Sequence, residues 1–211
     1  TSHLDGFYYK PRVDRQVLEE YSDGLVVLSG CPSAELSRAI IDGDTNQAME
    51  IARWYKSTFP NFYLELQRHE NLPFLDELNR GILSVGEKLD IPLAATNDLH
   101  YVNKEDAPFQ DVMVCIQTNT NINDDKRLKM SDDSYYLKSP KEMEDLFSDL
   151  PEAIATTQRI ADMCDLELDF GQTRLPEFKT PDGMSPGEYL ADLCQDGLIR
   201  RYPNPSPEVQ Q

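Results

Sequence analysis

Three short apolar runs, each ending abruptly in polar residues, organise the first hundred positions of the chain. They are Leu25-Val26-Val27-Leu28-Ser29, Phe62-Tyr63-Leu64-Glu65-Leu66-Gln67 and Ile91-Pro92-Leu93-Ala94-Ala95-Thr96. All three have the length and composition of strands, and the first and third read as buried ones because apolar positions follow one another without alternation. Helical patterns fill the intervals. Residues 15–22 and 33–41 suit short helices, and 46–58 a stronger one that Pro60 closes. Another helix is expected over 75–89, with Asp90 as the break before the third strand. Strand, helix, strand, helix, strand predicts parallel pairing with right-handed crossovers, so the C-terminal ends of all three strands share one rim.

Beyond residue 100 the pattern loosens. Residues 107–116 read as a helix, 118–130 as a polar loop, and Ser134-Tyr135-Tyr136-Leu137 as a short extended piece. Ser139-Pro140-Lys141-Glu142 spells a capping box with proline at the first helical position, opening a helix to about residue 147. Pro151-Glu152 opens a longer helix through Cys164, with an expected inward stripe of Ile154, Thr157, Ile160, Ala161 and Cys164. The alternation Leu166-Glu167-Leu168-Asp169-Phe170 then predicts a half-buried strand. Pro176, Pro181 and Pro186, interspersed with glycines, predict an extended linker before a helix at about 187–201. A domain boundary is expected near residue 165. The chain has no initiator Met and stops where Ser206-Pro207-Glu208 would open another helix, so both ends read as cuts in a longer protein.

Composition narrows the class. Hydrophobic content of 39% and charged content of 27% describe a globular protein, and no apolar stretch approaches the roughly 18 residues of a membrane span. Four dispersed cysteines without a CxxC pair fit reduced thiols and a cytoplasmic location. A formal net charge of −18 argues against this stretch gripping a phosphate backbone, which requires clustered Lys and Arg. Tyr135 and Tyr136 with Lys126 and Lys129 superficially suggest such a patch. The surrounding Asp124, Asp125, Asp132 and Asp133 make a solvated loop the better reading.

The candidate chemistry lies on the shared rim. Asp98-Leu99-His100 follows the third run, and residues two apart in extended chain face the same side, so a carboxylate and an imidazole converge on one metal ion or phosphate. Cys31 follows the first run and His69 the second. Any one of these is equally at home as a small core residue or a packed loop histidine. Ligand-type residues at all three strand ends raise the case for a metal or phosphate site.

Seven separated segments, in order, resemble one family. They include Gly6-Phe7-Tyr8-Tyr9-Lys10-Pro11-Arg12-Val13-Asp14, Gly24-Leu25-Val26-Val27-Leu28-Ser29-Gly30-Cys31, Phe62-Tyr63-Leu64-Glu65-Leu66-Gln67 and Ala95-Thr96-Asn97-Asp98-Leu99-His100-Tyr101. Tyr136-Leu137-Lys138-Ser139-Pro140, Leu146-Phe147 through Pro151-Glu152-Ala153, and Leu175-Pro176-Glu177-Phe178 complete the series. The family is the bacterial C-family replicative polymerases, the DNA polymerase III alpha subunits. The resemblance implies an α/β fold: residues 1–165 as the C-terminal part of a polymerase-and-histidinol-phosphatase (PHP) domain, a distorted (β/α)7 barrel, and 166–211 as the entry to the polymerase palm. It implies Cys31, Asp98 and His100 as ligands of a divalent metal cluster, Zn or Mn, while His69 matches no ligand position. The remaining PHP ligands fall upstream of Thr1, and the palm Asp-x-Asp pair that binds Mg falls downstream of Gln211, so this stretch alone is not expected to polymerise DNA. In the whole enzyme the resemblance implies template-directed DNA synthesis from deoxynucleoside triphosphates, with sliding clamp and proofreading subunit as partners. Where all ligands are kept, it implies 3′–5′ exonuclease or phosphoesterase chemistry at the PHP site. Two other readings fit the same residues. One is a noncatalytic PHP scaffold that docks replisome proteins, and the other a free-standing histidinol-phosphatase-like phosphoesterase, which leaves 166–211 unexplained.

Overall fold

The computed structural model describes residues 2–69, 71–168, 170, 171, 178–202, 204 and 206–210. The chain divides into two compact units, Thr1–Asp165 and Leu166–Gln211. In the first, β1 (Val26–Leu28), β2 (Asn61–Gln67) and β3 (Leu93–Thr96) form a parallel sheet in the order β1-β2-β3. Val27 pairs with Phe62, Leu64 with Leu93 and Gln67 with Thr96, so the three C-terminal ends do lie on one side. The helices are α1 (Arg15–Glu20), α2 (Glu35–Ile41), α3 (Thr45–Thr58), α4 (Phe74–Leu89), α5 (Ala107–Thr118), α6 (Pro140–Leu146) and α7 (Pro151–Met163). Their ends follow local chemistry. Asp14 and Asp44 accept hydrogen bonds from the backbone of Val17 and Gln47 at 2.9 Å, capping α1 and α3. The expected box at α6 forms, with Ser139 N donating to Glu142 Oε2 at 2.8 Å.

The core takes alternate positions of β2. Phe62, Leu64 and Leu66 are at most 4% exposed and meet Leu36, Ile51, Leu78 and Ile82 from α2, α3 and α4. Each such side chain contributes about 1.5–3 kcal/mol of hydrophobic stabilisation. The other face of β2 is not apolar. Tyr63 and Glu65 are half-buried there, and Glu65 Oε1 accepts from Thr96 Oγ1 at 2.5 Å and from Gln67 Nε2 at 2.9 Å. The three residues of β1 are likewise only half-buried, against the expectation of a buried first strand. The third run is buried as expected at Ile91, Ala94 and Ala95, each at most 5% exposed.

Arg68 fastens the end of β2 to the turn between α6 and α7. Its guanidinium is bidentate to Asp149 at 2.6 and 2.8 Å, donates to Leu146 O at 2.7 Å, and lies 4.7 Å from the centroid of the fully buried Phe147 ring. α7 then packs along β3. Its inward residues are Ala153 and Thr156, with Ile154 and Ile160 half-buried, whereas Thr157, Ala161 and Cys164 of the expected stripe are exposed. Docking beside a strand of small residues favours Ala and Thr, which let the backbones approach. In the second unit the expected strand at 166–170 is absent from its described residues, and Leu166, Leu168 and Phe170 are 80%, 64% and 90% exposed. Leu175, Pro176 and Glu177 of the resemblance lie outside the described residues. That unit contains α8 (Pro186–Arg201), opened by a Ser185–Glu188 capping box, and α9 (Pro207–Gln210).

Candidate functional site

Each strand reaches the rim through a different local device. After β1, Gly30 adopts φ +82 and turns the backbone toward α2, in a space where a Cβ would come within 3.1 Å of the Ala34 Cβ. Cys31 follows, half-buried, with its carbonyl accepting from Ala34 N at 2.9 Å. After β2 come Arg68 and His69. After β3, Asp98 takes φ +47, a left-handed conformation that is costly for most side chains and tolerated best by Asp, Asn and Gly. The chain is therefore not extended at Asp98, and the two-residue alternation does not govern where Asp98 and His100 point. A hydrogen bond couples them instead, between His100 Nδ1 and Asp98 O at 2.5 Å. A carbonyl oxygen only accepts, so Nδ1 carries the proton and the lone pair of His100 is on Nε2. That is the arrangement of histidines whose ring N–H is held by a carbonyl while the other nitrogen binds a metal.

A segment that the sequence presents as a solvated loop holds this turn in place. Residues 131–138 lie alongside the end of β3, with a parallel bridge between Tyr101 and Tyr136. His100 N donates to Tyr135 O at 2.9 Å and Leu137 N to Tyr101 O at 3.1 Å. Asn97 Nδ2 donates to Ser134 O at 3.0 Å and to Tyr136 O at 2.8 Å, while Asn97 Oδ1 accepts from Lys138 Nζ at 2.9 Å. The same segment reaches the β2 end. Asp132 accepts from Asn71 N at 3.2 Å and from Ser134 N at 2.8 Å, and Ser134 Oγ meets His69 Nδ1 at 2.6 Å. Burial pushes the Asp132 carboxyl up, but these bonds from Ser134 and Asn71 outweigh it and hold its pKa below the ordinary value. Tyr135 is 5% exposed, contrary to the loop reading. Its ring stacks on His69 (centroids 4.0 Å apart, planes at 18°) and meets the His100 ring edge-on (5.6 Å, 89°). Burial lowers the His69 pKa, with Lys138 and His100 adding to the effect against Asp132 and Asp98, so the imidazole is neutral. Its Nε2 is buried and has no hydrogen-bond partner among the described residues.

These residues fit a divalent metal in part. Asp98 and His100 are neighbours and offer an oxygen and a nitrogen donor. Cys31 follows β1, and with β2 intervening its strand is about 10 Å from β3 at ordinary strand spacing. Among the described residues no group of three or more His, Cys, Asp or Glu side chains gathers closely enough to hold one ion. The described residues thus offer candidate donors at the ends of β1 and β3 that do not gather on a single ion. The Asp132–Ser134 contact has a visible signal, the Ser131-Asp132-Asp133-Ser134 run of side chains that bond their own backbone. Nothing local marks Tyr135 as the ring between two histidines.

Comparison with known proteins places the chain. Residues 1–69 match the PHP domain family. The DNA polymerase III subunit alpha of Borreliella burgdorferi is 42% identical over 212 aligned residues, covering 99% of this chain. That of Thermus aquaticus is 38% identical over 96% of the chain, and that of Treponema pallidum 36% over 99%. The chain spans 18%, 17% and 18% of the lengths of these three relatives. Similarity that runs through nearly every residue here and confines itself to one segment there puts this chain in the DNA polymerase III alpha family.

Proposed function

We propose that the chain is the rim segment of a PHP barrel in a replicative DNA polymerase, carrying Cys31, Asp98 and His100 as part of a Zn- or Mn-dependent phosphoesterase site with 3′–5′ exonuclease activity. Residues 1–165 are read as the C-terminal part of the (β/α)7 barrel and 166–211 as the start of the palm. The observation that carries the reading is His100, whose Nδ1–H is committed to Asp98 O and whose Nε2 is thereby left with its lone pair available to a metal. A bound divalent metal would polarise the scissile phosphate and lower the pKa of an attacking water. Asp98 supplies negative charge to hold it, His100 supplies a fixed nitrogen donor, and Cys31 a soft donor from the β1 end. In the whole protein this reading brings DNA and deoxynucleoside triphosphates as substrates and Mg at the palm. It also brings sliding clamp and proofreading subunit as partners and a cytoplasmic location. No helix among the described residues is long and apolar enough to cross a membrane.

The test is metal analysis and a 3′–5′ exonuclease assay on the complete polymerase, wild type against Asp98→Asn. Asn suits the left-handed backbone while removing the charge, so exonuclease activity and bound metal should fall together while DNA synthesis persists. Exonuclease activity undiminished in the variant would sink the reading. A second reading, the noncatalytic scaffold, draws on the absence of a three-ligand group among the described residues and on the net charge of −18, which suits protein partners better than DNA. Wild-type polymerase that purifies without metal and synthesises DNA normally would favour it.

A further inference from the structure

We propose that His69 is a positioning residue for His100, acting through the ring of Tyr135. The inference rests on the reading of His100 as a metal ligand and extends it to a residue that the ligand pattern omits. His100 is exposed and keeps its tautomer through one hydrogen bond to Asp98 O, closed within three residues of chain. An exposed imidazole on a surface turn rotates readily unless something bounds it. The boundary is Tyr135, which receives the His100 backbone N–H on its carbonyl at 2.9 Å and presents its ring to the imidazole at 5.6 Å and 89°. Tyr135 is in turn held at both ends. Its hydroxyl and Ser131 Oγ are 2.7 Å apart, and its ring face lies on His69 with centroids 4.0 Å apart, a stacked pair that adds to what burial alone provides.

The polar state of His69 supports an assignment beyond packing. A buried nitrogen with no partner among the described residues is costly, so a plain core position would be better served by an apolar ring. Histidine instead combines two contacts at this point: a flat ring for Tyr135 and, through Nδ1, a hydrogen bond to Ser134, the residue before it. The ring contact is the one that reaches His100. The ends of β2 and β3 are thus coupled by a row of three rings, His69, Tyr135 and His100.

The two contacts can be separated by substitution. Phe at position 69 keeps the ring and loses the Ser134 bond, whereas Gln keeps a polar partner for Ser134 and loses the ring. The readout is long-range 1H–15N correlation on the 211-residue chain labelled at its three histidines, with folding monitored at the single Trp. In the wild type and in His69→Phe the His100 pattern should be that of the Nδ1–H tautomer. In His69→Gln the two ring nitrogens should move toward a common averaged shift, and zinc titration of the complete polymerase carrying the same substitution should show affinity reduced about 10-fold or more. A His100 pattern in His69→Gln identical to wild type would overturn the proposal. So would the reverse ranking, with His69→Phe disturbed and His69→Gln not, because it would give the effect to the Ser134 bond. If His69→Gln does not fold, Tyr135→Leu against Tyr135→Phe asks the same question of the middle ring, and an undisturbed His100 in Tyr135→Leu is equally fatal. A complete polymerase that purifies and titrates without bound zinc or manganese would refute the metal reading, and an ordered His100 tautomer in the wild-type chain would leave the positioning role standing.

Discussion

Replacing Asn97 by Ala tests whether residues 131–138 are a structural part of the rim. The side chain makes two hydrogen bonds to the carbonyls of Ser134 and Tyr136 and accepts one from the Lys138 ammonium. Neutral bonds of this kind contribute about 0.5–1.5 kcal/mol each, which gives about 2 kcal/mol for the pair. The Lys138 bond adds little to the loss, because its ammonium keeps Ser134 O as a partner. The expected destabilisation is therefore about 2 kcal/mol. With a urea dependence of about 1–3 kcal/mol per molar, the midpoint for the first unit should fall by about 1 M, followed by the fluorescence of Trp54, which packs against the core. Amide exchange distinguishes the two ways this can occur. If the segment detaches before the sheet unfolds, protection of His100 N and Leu137 N drops while Trp54 keeps most of its midpoint. A midpoint within about 0.2 M of wild type together with unchanged exchange at both amides would refute the reasoning, since the bonds would then carry no load.

Two further outcomes follow from backbone and charge. At Asp98, held at φ +47, Asn and Gly should be tolerated, while Val should cost about 1–2 kcal/mol in urea unfolding; equal stability of Asp98→Val and Asp98→Asn would contradict the strain argument. Hydrogen bonds from the Tyr136 hydroxyl and from the Ser139 side chain and backbone hold the Glu142 pKa down to about 2, and the same contact, with burial, pushes Tyr136 up to about 12. A folded-state carboxyl below its unfolded value of about 4.3 contributes stability that is full above that pH and is lost as pH falls toward 2. The capping of α6 should weaken over that window, a carbon-detected titration of Glu142 should have its midpoint near 2, and a midpoint above 4 would remove the contact.

The parts legible from sequence were those fixed by neighbours along the chain. The period of α4, the alternation in β2 and the Ser139–Glu142 box each arise within a few residues, and each forms. The place of Asp98 and His100 after the third strand was legible, because the apolar run ends at Thr96. Their geometry was not, because the left-handed turn at Asp98 replaces the extended backbone from which their directions were argued. The face of α7 was misread because docking beside β3 selected Ala153 and Thr156 over the more hydrophobic stripe. Tyr135 was missed for the plainest reason. Its meaning lies in His69 and His100, which are 66 and 35 positions away, and no pattern within the loop refers to either.

That separation has a consequence for the order in which the molecule is made. The sheet and its covering helices α2, α3 and α4 are complete once Thr96 has been synthesised. The rim turn receives its bridge only when Tyr136 arrives, and the Arg68 clamp waits for Asp149. Closing these contacts requires loops of some tens of residues, whose entropy must be met before the contacts return anything. On the ribosome, the sheet therefore precedes the edge that residues 131–138 complete.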